Sequence, residues 1–374
     1  MKKILAMILA LVLVLGLAAC GTAQPTDQPA ADAATLKVAM VTDYGDITDQ
    51  SFNQTTYEAC KSYCEANGLE FNYFKPVSDS DADRVAMIET AIDGGFNVIV
   101  MPGYAFANAI KETVGTYPDV TFIGLDVGAG DLGEDFTVPA NLYCAVYQEE
   151  LCGYMAGYAA AKLGYKKLGF LGGMAVPAVV RYGYGFVQGV DAAAVELGAQ
   201  DISINYAYGN QFYGDADITA AMDTWYQDGT EVVFACGGGI FTSAAEAAAK
   251  VGGKVIGVDV DQAAIIDGTY GEGMTVTSAM KGLGATVNTM LAKVKAGEFE
   301  GGKIETLGLV SENPEENFVQ IPATTQFAEG FTAEDYAALV AAMFAGDVKV
   351  NNDITIAAAD CATVVTVNDM GNLK

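Results

Sequence analysis

Leu36-Lys37-Val38-Ala39-Met40-Val41 runs directly into Thr42-Asp43-Tyr44-Gly45, and an amphipathic stretch over residues 53–67 follows and stops at Gly68. An apolar run with little alternation is what a strand buried on both faces requires. A glycine just past an amphipathic stretch marks a helix end. The same unit recurs along the chain. Further apolar runs lie at 98–101, 121–125, 167–171, 231–235, 255–258 and 275–279. Helix-like stretches lie between them, at 83–93, 149–163, 184–197, 215–227, 243–250 and 284–295. Strands alternating with helices predict parallel sheets joined by right-handed crossovers, an α/β fold.

The residues that end the strands carry the chemistry. Val41 leads to Asp43, Leu125 to Asp126 and Val258 to Asp259. Ala235 leads to Cys236-Gly237-Gly238-Gly239, and Ala279 to Met280-Lys281. Open parallel sheets bind ligands beyond the carboxyl ends of their strands. Glycine there lets a ligand approach the backbone, and aspartate offers two acceptor oxygens. Any one of these residues alone reads as turn chemistry; their recurrence is what points to a site.

Composition narrows the function. The 374 residues include 19 basic and 47 acidic ones, a net charge of −28, which disfavours nucleic acid and other polyanions as partners. There is no histidine, which removes Ser-His-Asp and Cys-His catalysis and every histidine-containing metal site. Cys60, Cys64, Cys144, Cys152, Cys236 and Cys361 form no Cys-x-x-Cys pair and are read mostly as free, buried small hydrophobes. At the amino end, Lys2 and Lys3 precede an apolar run over residues 4–15, too short for a comfortable membrane span, and then Leu17-Ala18-Ala19-Cys20. This arrangement resembles a bacterial lipoprotein processing site and implies removal of residues 1–19 and lipidation of Cys20. Residues 20–35 lack aromatic and branched aliphatic side chains, as a solvated tether does.

Residues 41–54, Val-Thr-Asp-Tyr-Gly-Asp-Ile-Thr-Asp-Gln-Ser-Phe-Asn-Gln, resemble the opening motif of the basic membrane protein lipoproteins, the nucleoside-binding components of ABC importers. Further similarity follows in chain order: 148–160, from Gln148-Glu149-Glu150 to Ala160; Gly172-Gly173-Met174 with Arg181-Tyr182-Gly183-Tyr184-Gly185-Phe186; 255–262, ending Val258-Asp259-Val260-Asp261-Gln262; and Thr277-Ser278-Ala279-Met280-Lys281. The resemblance spans nearly all of the chain after Leu36. It implies a type I periplasmic-binding fold of two Rossmann-like lobes joined by three hinge crossings. The N-terminal lobe is expected at 36–140 and 270–310, and the C-terminal lobe at 141–269 and 311–374. It also implies a nucleoside ligand, a purine one in preference, a permease and an ATPase as partners, anchorage on the outer face of the cell membrane, no cofactor and no enzymatic activity.

The expected site follows residue by residue. Phe52 stands at the family's first stacking position, and aromatic stacking is worth about 1–3 kcal/mol per base. Tyr182 stands where the family often has phenylalanine; it keeps the ring and adds a hydroxyl. Asp43 is placed against the base edge, where a carboxylate accepts from ring or exocyclic N–H groups. Asn53 either supports it or caps the following helix. The resemblance gives Asp126 and Asp259 to the ribose diol. Lys281 is expected to donate to ribose oxygens or to neutralise these carboxylates, and Gly237 with Gly238 to present backbone N–H groups to the sugar. Gln50 replaces the family's usual basic residue. Residue types alone leave open another stacked heterocycle such as a flavin, a sugar, a surface nucleoside hydrolase, or an adhesin.

Overall fold

The computed structural model describes residues 36–374, so the signal, the tether and Cys20 lie outside the described residues. The elements in chain order are β1 (Lys37–Val41), α1 (Phe52–Asn67), β2 (Glu70–Phe74), α2 (Asp81–Asp93), β3 (Val98–Pro102), α3 (Ala107–Thr113), β4 (Thr121–Leu125), α4 (Ala129–Leu132) and β5 (Leu142–Tyr147). Then come α5 (Glu149–Lys162), β6 (Lys167–Gly172), α6 (Pro177–Leu197), β7 (Ser203–Tyr208), α7 (Ala216–Gln227), β8 (Val232–Cys236), α8 (Phe241–Val251), β9 (Lys254–Asp259), α9 (Ala263–Tyr270) and β10 (Thr275–Lys281). The chain ends with α10 (Leu283–Ala296), β11 (Lys303–Leu307), β12 (Val319–Gln320), α11 (Ala333–Ala345) and β13 (Thr366–Asn372).

Two sheets form. The first has the order β11-β5-β4-β3-β1-β2 and the second β12-β10-β9-β8-β6-β7-β13. All pairings are parallel except β10 with β12. Within each sheet the first strand of the lobe lies between the second and third, so β2-β1-β3-β4-β5 and β7-β6-β8-β9-β10 repeat one topology. The central strands β3 and β8 are buried throughout, as their unbroken apolar sequences require.

The lobe boundaries differ from those expected. Strand β5 pairs with β4 and belongs to the first sheet, although residues from 141 onward were assigned to the second lobe. Strand β10 pairs with β9 in the second sheet, although residues from 270 onward were assigned to the first. Among the described residues the chain crosses at Gln148, at Gly282 and between β11 and β12. Each lobe needs its own fifth strand to complete the repeated topology, and this moves both crossings. Backbone hydrogen bonds tie the crossings together: Gln148 N–H donates to Leu307 O (2.9 Å), Gly282 N–H to Phe318 O (2.7 Å) and Phe318 N–H to Gly308 O (3.0 Å).

Strands β2, β5, β7, β11 and β12 were not foreseen, whereas a helix and further strands were expected over 332–374, where α11 and β13 lie. Glu70–Phe74 at the sheet edge carries little buried apolar surface, and its sequence shows no buried-strand signal. Helix α6 begins at Pro177, seven residues before the expected start; proline at the first helical turn is pre-set for it. Arg181 and Tyr182 therefore project from a helix. The six cysteines among the described residues are free thiols; five are buried and Cys361 is partly exposed.

Helices α5 and α6 pack backbone against backbone. A Cβ at Gly157 would stand 2.2 Å from Phe186 O, and one at Gly185 2.0 Å from Glu150 O. Gly153 and Gly189 meet the partner helix in the same way. The spacing Gly153-x-x-x-Gly157 facing Gly185-x-x-x-Gly189 thus sets how closely the two helices approach. Gly185→Ala is expected to cost about 2–3 kcal/mol by overpacking, read as a lower urea midpoint at unchanged slope. Gly115→Ala, at a position with no atom within 4 Å of the added carbon, should leave the midpoint nearly unchanged.

Candidate functional site

The strand ends of the two lobes meet around one ammonium group. Lys281, at the end of β10, has a side chain 3% exposed. Its Nζ lies 2.5 Å from Asp126 Oδ2 of the first lobe, 3.5 Å from Glu149 Oε1 and 3.6 Å from Asp259 Oδ1. The rings of Phe52, Tyr147 and Tyr182 stand around it, with centroids at 4.8, 5.6 and 5.6 Å from Nζ. Such faces attract a desolvated cation.

Asp126 and Asp259 follow β4 and end β9, and both adopt the left-handed backbone region, φ 56° and 64°. Non-glycine residues there carry strain of about 1–3 kcal/mol, and such outliers cluster at ligand sites. The two lobes thus present matching strained carboxylates to one lysine. Asp259 accepts from Ser51 Oγ (2.5 Å) across the lobes and from Tyr182 OH (3.3 Å). Asp126 keeps Oδ1 buried without a hydrogen-bond partner among the described residues. Burial pushes the Asp126 carboxyl up to about 6, although Lys281 pulls it down. Burial also disfavours the ammonium, but Asp126, Asp259 and Glu149 together hold Lys281 well above the usual lysine value.

A second group lies in the first lobe, at the end of β1. Asp43, 8% exposed, takes the N–H groups of Tyr44 and Gly45 on one oxygen, both at 2.6 Å. Gly103, φ 121°, lies against its carboxylate, where a Cβ would come within 3.2 Å of Oδ2. Burial raises the Asp43 carboxyl to about 6. Asp49, not Asn53, holds the start of α1, accepting from the backbone N–H groups of Ser51, Asn53 and Gln54 at 2.9–3.0 Å. Asn53 donates its side-chain amide to Asp49 (3.2 Å), and its Oδ1 is buried without a partner.

The third group is aromatic. Phe212, in the loop after β7, stacks on Tyr44 of the other lobe at 6.3 Å between centroids. Tyr44 OH also reaches Met174 S (3.5 Å). Gly237, φ 144°, makes room for the Phe212 ring, since a Cβ there would lie 2.8 Å from it. Gly173 does the same, at 2.4 Å.

Phe52, Asp126, Tyr182, Asp259 and Lys281 therefore converge in one cluster, Asp43 and Asn53 stand beside it, and Gly237 packs behind Phe212. Tyr182 is only 1% exposed and its ring packs edge-on to Phe234 at 6.0 Å, so it acts through its hydroxyl rather than as an open stacking face. Sequence reading missed Phe212, Tyr44, Ser51, Glu149 and Arg181 as site residues. A Phe-Tyr pair inside Gly209-Asn210-Gln211-Phe212-Tyr213-Gly214, a turn-forming loop with no core periodicity, was the available signal for Phe212. Two cavities, of about 450 and 320 Å³, lie elsewhere. One is under β13 beside Trp225; the other, in the first lobe, is lined by Arg84 and shares Tyr44 with the cleft.

Two sheets of one repeated topology, three crossings, and strand-end side chains meeting across a cleft define a type I solute-binding protein. The chain belongs to the family described as ABC transporter substrate-binding protein, PnrA-like, which matches residues 36–322. It is 29% identical over 293 residues to the ABC transporter nucleoside-binding protein BmpA of Lactococcus lactis subsp. cremoris, covering 73% of this chain and 79% of that one. It is 32% identical over 321 residues to a CD4+ T-cell-stimulating antigen of Listeria innocua, covering 80% and 85%. Among solved structures, an ABC transporter solute-binding protein from Aeropyrum pernix K1 superposes with a TM-score of 0.66 at 21% identity, over 87% of this chain and 90% of that one. No helix among the described residues is long and apolar enough to cross a membrane.

The raised carboxyls set a pH dependence. A group with a higher pKa in the folded than in the unfolded state stabilises the fold below its unfolded value and loses that contribution as pH rises through the folded one. For Asp43 the window runs from the ordinary aspartate value of 3.8 to about 6. Asp43→Asn is therefore expected to flatten the fall in melting temperature of the wild type between pH 4.5 and 7, measured by scanning calorimetry without added ligand. Parallel curves for the two proteins would contradict it.

Proposed function

We propose that this protein captures a nucleoside, a purine nucleoside in preference, between its two lobes outside the cell and delivers it to the permease and ATPase of an ABC importer. A lipid anchor at Cys20 would hold it on the outer face of the membrane. The observation that carries this reading is the convergence of Asp126 and Asp259, one from each lobe, on Lys281 beside Phe52. A ribose diol offers two O–H donors and several acceptor oxygens. Paired carboxylates match the donors and an ammonium matches the acceptors. The orphaned Asp126 Oδ1 has capacity for one such donor. Phe52 and Phe212 supply aromatic surface for a planar base, and Asp43 with Asn53 supplies acceptors and a donor for its edge. The name of the Lactococcus lactis relative, a nucleoside-binding protein, supports the same assignment.

The reading includes no chemical step. The chain lacks histidine, and each carboxylate of the central cluster is tied to Lys281, an arrangement suited to holding a sugar.

Titration calorimetry with inosine, guanosine, adenosine, cytidine, riboflavin and ribose tests the reading. Purine nucleosides should bind most tightly, and inosine recovered after prolonged incubation should be intact. Phe52→Ala and Phe212→Ala should each weaken inosine binding by about 5–150-fold, the equivalent of about 1–3 kcal/mol of lost stacking. Tight binding of ribose with no response to any nucleoside would refute the assignment.

A further inference from the structure

Glu149 opens α5 and is fully buried. One of its oxygens accepts from Arg181 Nε at 2.6 Å. The other lies 3.5 Å from Lys281 Nζ and has no hydrogen-bond partner among the described residues. Arg181, on α6, precedes Tyr182, whose hydroxyl donates to Asp259. Glu149 follows Gln148, the first crossing between the lobes, and Lys281 precedes Gly282, the second.

A carboxylate taken wholly out of water is retained at a cost of several kcal/mol unless cations and hydrogen bonds compensate it. Here an arginine and a lysine do so, and the start of a helix adds its partial positive charge. The lysine is the adjustable partner. Its four-carbon stem is flexible and its ammonium has three donors. Asp126, Glu149 and Asp259 draw those donors in three directions.

We propose that Glu149, held by Arg181, is a positioning residue that fixes the Lys281 ammonium between Asp126 and Asp259 and thereby governs recognition of the ribose diol, without itself touching the ligand. This rests on the nucleoside reading above. With Glu149 in place, part of the ammonium's attraction is directed away from the two aspartates, leaving carboxylate oxygens open to a diol. Without that charge, Lys281 is drawn onto Asp126 and Asp259 and saturates the same oxygens. Arg181 keeps Glu149 from turning toward the lysine alone.

The test compares inosine with 2′,3′-dideoxyinosine, which shares the base and lacks the diol, by calorimetry on the full chain. Glu149→Gln is expected to weaken inosine at least tenfold and dideoxyinosine less than twofold. Arg181→Gln should act in the same direction, and Arg181→Lys should restore most of the inosine affinity. Arg181 is partly exposed, so its variants report even where a substitution at the fully buried Glu149 impairs folding. Equal losses for both nucleosides, or unchanged inosine affinity, would overturn the proposal. A crystal structure of ligand-free Glu149→Gln gives a readout independent of nucleoside binding: Lys281 Nζ should move toward Asp259. An ammonium in its present place would overturn the positioning role, even if the wild type binds neither nucleoside and the functional reading fails separately.

Discussion

The attraction between the Lys281 ammonium and the carboxylates of Asp126, Asp259 and Glu149 is the interaction on which the arrangement of this molecule depends. None of these groups tolerates burial alone, because an unpaired charge in a low-dielectric interior is very costly. Each therefore requires the others to be brought within a few ångströms. That demand reaches back into the fold. Asp126 must stand at the end of β4 in one sheet and Asp259 at the end of β9 in the other. Lys281 must leave β10 beside a crossing, and Glu149 must open the helix that follows another. The left-handed backbone at both aspartates is the local cost of aiming two strand ends at one point. Ser51 and Gln262 add cross-lobe hydrogen bonds, Ser51 to Asp259 and Gln262 to the Gln50 carbonyl.

The alternation of apolar runs and helices made the α/β class legible, because strands buried on both faces leave an unbroken hydrophobic signature. Strands β2 and β7 were not legible for the converse reason, whereas β5 (Leu142–Tyr147) is apolar and almost wholly buried and its signal was present in the sequence. Edge or half-covered strands need little apolar sequence, so Glu70–Phe74 and Ser203–Tyr208 read as loops. The lobe boundaries escaped because a crossing needs only a single residue such as Gln148 or Gly282, with no linker composition to mark it. In the site, Asp126, Asp259 and Lys281 were visible as strand-end residues that do not continue a hydrophobic run. Glu149 was not, since an acidic residue in the first turn of a helix is ordinary. Tyr182 does lie beside Lys281 and Asp259, but whether its ring is open or buried depends on α6 starting at Pro177, a tertiary matter. Gly237, expected to present its N–H to the sugar, lies against the ring of Phe212, a residue to which the sequence reading gave no role.

Helices α5 and α6 give the second lobe a rigid interior. Backbone contact at four glycines leaves no side-chain layer to yield between them. Glu149 and Arg181 sit on these two helices, so their ion pair is carried on a stiff frame, while Lys281 hangs from a strand beside a crossing. Relative motion of the lobes would fall on the three crossings, where single backbone hydrogen bonds tie Gln148 to Leu307 and both Gly282 and Gly308 to Phe318.

The missing histidine has a consequence for how this molecule can be observed. Most proteins carry imidazoles that ionise near neutrality and mask other groups. Here no imidazole competes, and the carboxyls pushed up to about 6 or 7 are those of Asp43, Asp126 and Glu150, at the cleft and beside the first crossing. Protons exchanged with an indicator dye near pH 6 would therefore include those of these three buried carboxyls, free of any imidazole background. The protein carries a label-free reporter of its own cleft, written into its sequence by the residue type it lacks.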